Sequence, residues 1–142
     1  MSPGFYRLTA TALAGIAMLA ASGCGSTSAG NAGKEVEVSV RDFHIKAPKH
    51  VAAGDVTFEM YNKGPDHHEL LVIRDDGKKL PLRGDDLTVD EDGLGPAVAG
   101  ALEPEPPGEH LVSMRLKKGR YWLICNMTGH YMGGMHTRVE AG

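Results

Sequence analysis

One short stretch near the C-terminus, CNMTGHYMGGM, sets the hardest condition that any fold of this chain must meet. It spaces Cys125, His130 and Met135 at even steps of five residues. A thiol, an imidazole and a thioether are soft or borderline metal ligands. Gly129, Gly133 and Gly134 lie among them, and glycine lets a backbone turn tightly. Such a loop wraps three side chains around one point only if firm elements anchor both of its ends.

The flanking sequence offers such elements. RYWLICN runs into the loop as a strong strand, and HTRVEAG leaves it as a short last strand. Upstream, EVEVSVRDFHI alternates and reads as one half-buried strand with Val36, Val38 and Val40 on a shared face. DVTFEMYNKG repeats the alternation with Val56, Phe58 and Met60 and ends in a turn. HELLVIRDDGKK gives a third strand and a polar turn. HLVSMRLKKG gives another, with Val112, Met114 and Leu116 on one side. Residues 80–108 break the pattern; they are acidic, rich in Gly and Pro, and read as a long excursion with one short helical turn. Short strands at near-regular spacing with turn signals between them predict an all-β sandwich. No stretch with helical period is long enough to compete.

The N-terminus reads as lying outside that fold. Arg7 precedes an apolar run, LTATALAGIAMLAA, too short to span a membrane comfortably and suited to a signal peptide. The run ends in AASGC and looks like a bacterial lipoprotein signal, cut so that Cys24 becomes a lipid-bearing N-terminus; an ordinary secretory signal cut nearby is the alternative. The expected organisation is a signal over residues 1–23, a Gly/Ser-rich linker over 24–34, and one domain over 35–142. Cys24 and Cys125 are the two cysteines of the chain. With lipid on Cys24, Cys125 has no disulfide partner, and an exported free thiol needs an occupant.

A metal supplies one. The loop offers three donors, and the fourth is sought in GPDHHEL, where a turn enters a strand and either His67 or His68 reaches the site. Two imidazoles, one thiolate and a weak axial thioether describe a blue-copper site. Structural zinc also accepts thiolate and imidazole but seldom a thioether.

Asn62-Lys63-Gly64, His68-Glu69-Leu70, Lys118-Gly119-Arg120-Tyr121-Trp122 and Cys125-Asn126-x2-Gly129-His130-x4-Met135 together resemble the cupredoxins, in particular plastocyanin-like bacterial copper proteins. The resemblance spans roughly Val36 to Val139. It implies a Greek-key β-sandwich, one copper ion cycling between Cu(I) and Cu(II), and His68, Cys125, His130 and Met135 as its ligands. It also implies an electron port at His130, for which Pro65, Met127, Tyr131 and Met132 are candidate neighbours. Backbone N–H groups of the Cys125–Gly129 loop are candidates for bonding the sulfur, and the His67 carbonyl for a distant fifth contact. His136 is expected on the opposite strand face; His44, His50 and His110 are expected to be ordinary surface histidines.

The expected function is that of a monomeric electron carrier, not an enzyme, tethered through Cys24 to the outer face of the cell membrane and docking transiently on redox partners. A copper storage or delivery protein is the rival. A net charge of −3 over 142 residues gives no polycationic surface for nucleic acid.

Overall fold

Alternating valines build the first layer. In a computed structural model, which describes residues 34–84 and 87–142, β1 (Lys34–Arg41) turns Val36, Val38 and Val40 inward. The expected signal segment, Cys24 and almost all of the linker lie outside the described residues. β1 pairs in parallel with β4 (Gly54–Asn62), whose Val56, Phe58 and Met60 share the same inner face. β4 pairs antiparallel with β7 (Gly108–Leu116). With β2 (His44–Lys46) on the far side of β1, this sheet has the order β2-β1-β4-β7.

The second sheet has the order β3-β9-β8-β5-β6. Its strands are β3 (His50–Val51), β9 (His136–Ala141), β8 (Gly119–Ile124), β5 (His68–Arg74) and β6 (Val98–Glu105). The chain crosses between the sheets at β2–β3, β3–β4, β4–β5, β6–β7 and β7–β8, so the layers are tied into the expected all-β sandwich. Phe58, Met60, Leu70, Val72 and Leu123 fill the space between them.

Two local expectations need correction. EVEVSVRDFHI is not one strand but a tight hairpin, with Arg41 opposite His44. Phe43 makes the reversal with φ of 57°, the one non-glycine residue in the left-handed region among those described. Neither Gly nor Pro marks the turn; its one trace in the sequence is a phase shift of the alternation, from Val36, Val38 and Val40 to Phe43 and Ile45. The long excursion also contains regular structure. Its helical turn (α1, Glu91–Leu94, followed by a 3-10 turn at Gly95–Ala97) is present, but its last part is β6. β6 is an edge strand, where Pro104 is tolerated.

The rest of the excursion covers the outer face of the second sheet. Leu71, Ile73 and Ile124 point outward and are buried beneath Leu80, Leu82, Val89 and Leu94. For that reason β5 is buried on both faces from His68 to Ile73, and its run HELLVI shows no alternation. Phe58 sits at the centre of the larger core with no exposed surface. Replacing it with Ala should cost about 3–5 kcal/mol of unfolding free energy, read from the denaturant midpoint with the slope unchanged.

Candidate metal centre

The four sequence-chosen side chains gather at one end of the sandwich. His68 opens β5, Cys125 follows β8, and His130 and Met135 lie in the loop between β8 and β9. Cys125, His68 and Met135 have no exposed surface. The loop braces itself: the Cys125 N–H donates to the Met135 carbonyl at 3.1 Å, the Met135 N–H to the His130 carbonyl at 2.9 Å, and the His130 N–H to the Met127 carbonyl at 2.8 Å. These bonds hold the two ends of the loop together, so its side chains converge.

Ligand-capable atoms of His68, Cys125 and His130 all lie within 4.8 Å of one another. His130 Nδ1 is 3.4 Å from Cys125 Sγ and His68 Nδ1 is 3.9 Å from it. Both rings therefore turn the same nitrogen toward the sulfur. The thioether of Met135 is buried in the cluster that contains Cys125. His67, the other candidate in GPDHHEL, is exposed on the turn. Strand alternation accounts for the choice: once β5 buries Leu70, His68 shares its inward face.

Position of the His68 ring is set from two directions. Asn62 holds the preceding turn, donating from Nδ2 to the carbonyls of Asp66 at 2.8 Å and Glu105 at 3.1 Å while its Oδ1 accepts the Gly64 N–H at 3.0 Å. Asp42, from the β1–β2 turn, places a carboxylate oxygen 3.1 Å from His68 Nε2. A carboxylate accepts only, so Nε2 carries the proton and Nδ1 keeps its lone pair for the site. Gly64 makes that approach possible: a Cβ there would lie 2.7 Å from the Asp42 oxygen and 3.1 Å from His68 Nε2.

Sequence reasoning missed Asp42 and Phe43, because both depend on the hidden hairpin. The Phe43 ring lies on His130 with centroids 5.2 Å apart, is 52% exposed, and fits because Gly133 has no side chain, a Cβ there colliding with the ring. Of the neighbours expected around His130, Met132 is exposed and Met127 packs on the core. Tyr131 instead turns to His136, ring to ring at 5.2 Å. His136 lies on the outer face as expected, at 5.4 Å from the Trp122 ring. His44 and His50 are exposed. His110 is not: it is half-buried, with Nε2 2.9 Å from the Pro106 carbonyl and Nδ1 3.3 Å from Glu105.

The excursion also reaches the loop. Asn126 donates from Nδ2 to the Val89 carbonyl at 3.0 Å and to the Glu91 carboxylate at 2.8 Å. Its Oδ1 accepts the Val89 N–H at 2.6 Å, and the Gly129 N–H donates to the Leu87 carbonyl at 3.1 Å.

Burial pushes the Cys125 thiol up, opposed by backbone N–H bonds to the sulfur from Met127, within the expected loop, and from Glu69, outside it. Burial also lowers His68, against the pull of Asp42. Both groups thus favour their neutral forms. Glu69, buried and close to the Glu91 charge, is raised to about 7.

No protein-family model and no curated protein matches the chain. Solved structures do. Reduced auracyanin from the photosynthetic bacterium Roseiflexus castenholzii aligns with a TM-score of 0.56 at 16% identity, over 78% of this chain and 98% of that one. Auracyanin B gives 0.57 at 19%, over 76% and 88%. Rusticyanin from Thiobacillus ferrooxidans gives 0.53 at 19%, over 78% and 79%. The chain has the cupredoxin fold, and the His-Cys-His-Met set stands together at one end of it.

Glu69 predicts a pH dependence in the metal-free protein. Its folded value of about 7 exceeds the ordinary 4.5, so the folded state binds the proton more tightly. The stabilisation is complete below about 4.5 and is lost as pH rises through about 7. Relative to Glu69→Gln, the wild type should lose on the order of 3 kcal/mol between pH 4 and 8, measured by urea unfolding at each pH.

Proposed function

We propose that this chain is a type 1 copper protein of the cupredoxin family, a carrier of single electrons and not an enzyme, with His68, Cys125, His130 and Met135 holding one copper ion. The observation that carries the reading is the pair of imidazoles presenting Nδ1 to one buried thiol, with a buried thioether in the same cluster. This donor set fits copper: thiolate and thioether suit Cu(I), imidazole suits Cu(II). Bound there, copper would supply reversible one-electron chemistry. The residues do the rest. Asp42 orients His68, the loop amides support the sulfur, and the core excludes water from three of the four donors. The solved structures point the same way, since rusticyanin is described as a copper protein.

His130 is the ligand nearest the surface, and Phe43 beside it offers an exposed apolar contact. Such a face suits weak, transient docking of a redox partner. The storage or delivery rival calls for an open, labile site, and the burial of the donors favours the carrier. Among the described residues no helix is long and apolar enough to cross a membrane. We place the carrier outside the cytoplasm as a monomer held by lipid on Cys24, on the strength of the sequence AASGC.

Copper addition should produce the intense visible absorption of a thiolate–Cu(II) bond, and Cys125→Ser should abolish it; a colourless loaded protein overturns the reading. Met135→Leu should keep the colour and raise the reduction potential in voltammetry, because a donor to the oxidised ion is lost. Asp42→Ala should weaken copper affinity about 10–100-fold in competition titrations.

A further inference from the structure

One side of the sandwich is closed where β6 meets β7. On the other, β2 of the first sheet faces β9 of the second, and the closure is incomplete. β3 pairs with β9 only at Glu140 and Ala141. The stretch His136–Val139 therefore has β8 on one side and, among the described residues, no strand on the other. The Glu140 N–H points outward, reaching the Lys49 carbonyl at 2.8 Å. The period of two along a strand sends the Arg138 N–H the same way. β2 is the edge strand of its own sheet. Two strand edges thus face each other.

Between them lies a groove of about 570 Å³. His44, Lys46, Lys49, Arg120, Arg138 and Glu140 are among its lining residues, four lysines and arginines against one carboxylate. In a chain with net charge −3 this is a local reversal of sign. Arg138 and Arg120 lean on the buried Asp75 at 3.2 and 3.9 Å. Glu140 has His50 3.9 Å away. Lys46 and Lys49 are exposed at the rim. Lysines on flat strand edges serve to prevent pairing. Here they border a concave site with Ile45, Ala47 and Val139 in its wall, which is a shape that receives a chain.

We propose that this groove binds an extended acidic segment of a partner protein, which adds as a strand to β9 along His136–Val139 while its carboxylates meet Lys46 and Lys49. Main-chain bonds to the β9 edge supply affinity, and the lysines select for negative charge. His44, in the lining, adjoins Phe43, whose ring lies on His130. A partner seated there lies next to the exposed face of the metal centre. The inference does not depend on which ion, if any, that centre holds.

The test is an amide NMR titration of the isotope-labelled full chain, with and without copper, against an alternating Glu-Val peptide, an alternating Lys-Val peptide and inorganic triphosphate. The Glu-Val peptide should shift the amides of His44, Lys46 and Arg138 and slow hydrogen exchange at Arg138. Lys46→Glu with Lys49→Glu should weaken it at least about tenfold; both lysines are exposed, and the unchanged amide spectrum elsewhere reports that the variant folds. The proposal is overturned by an Arg138 amide that never responds. It is equally overturned if triphosphate or the Lys-Val peptide reproduces the Arg138 protection, or if the double variant binds undiminished.

Discussion

The hydrogen bond between the Asp42 carboxylate and His68 Nε2 is the contact on which the His-Cys-His end of this molecule depends. It joins residues 26 apart in sequence, from opposite sheets, at 3.1 Å. An imidazole is symmetric enough to present either nitrogen, and only a partner on one settles which faces the site. Asp42 makes that choice for a ring with no exposed surface. The bare backbone of Gly64, the Asn62 clamp on the turn and the parallel pairing of β1 with β4 all serve to bring that carboxylate into place.

The excursion between β5 and β6 has a structural role that its composition conceals. Its leucines cover the outer face of β5, and Asn126 ties its Val89–Glu91 segment to the residue after Cys125. The loop that carries Cys125, His130 and Met135 is thus braced by its own backbone bonds and by a strap across the back of the sheet. Glu69 lies beside both, and its acid stays protonated to near neutrality because burial and the charges of Glu91 and Glu103 outweigh the Asn126 N–H that bonds it.

Much of this was legible from residue order. Alternation in β1, β4 and β7 announces a sandwich because each of these strands buries one face. Cys125, His130 and Met135 could be grouped because a single loop carries them. The β1–β2 reversal could not, since Phe43 adopts a left-handed conformation where the pattern shows neither Gly nor Pro. β6 was hidden by Gly, Ala and Pro, which an edge strand tolerates. Tyr131 was misplaced because a tight loop sends neighbouring side chains in different directions, and backbone dihedrals, not spacing, decide which way each goes.

The hairpin that carries Asp42 and Phe43 belongs to one layer of the sandwich, and His68, Cys125, His130 and Met135 belong to the other or to its loop. Contacts at this end therefore bridge the two layers. The buried His68 ring is held between the layers, in a close-packed interior with low compressibility. With the proposed copper bound there, such bridging would keep nuclear rearrangement small when charge arrives or departs, the mechanical condition for fast exchange at little driving force.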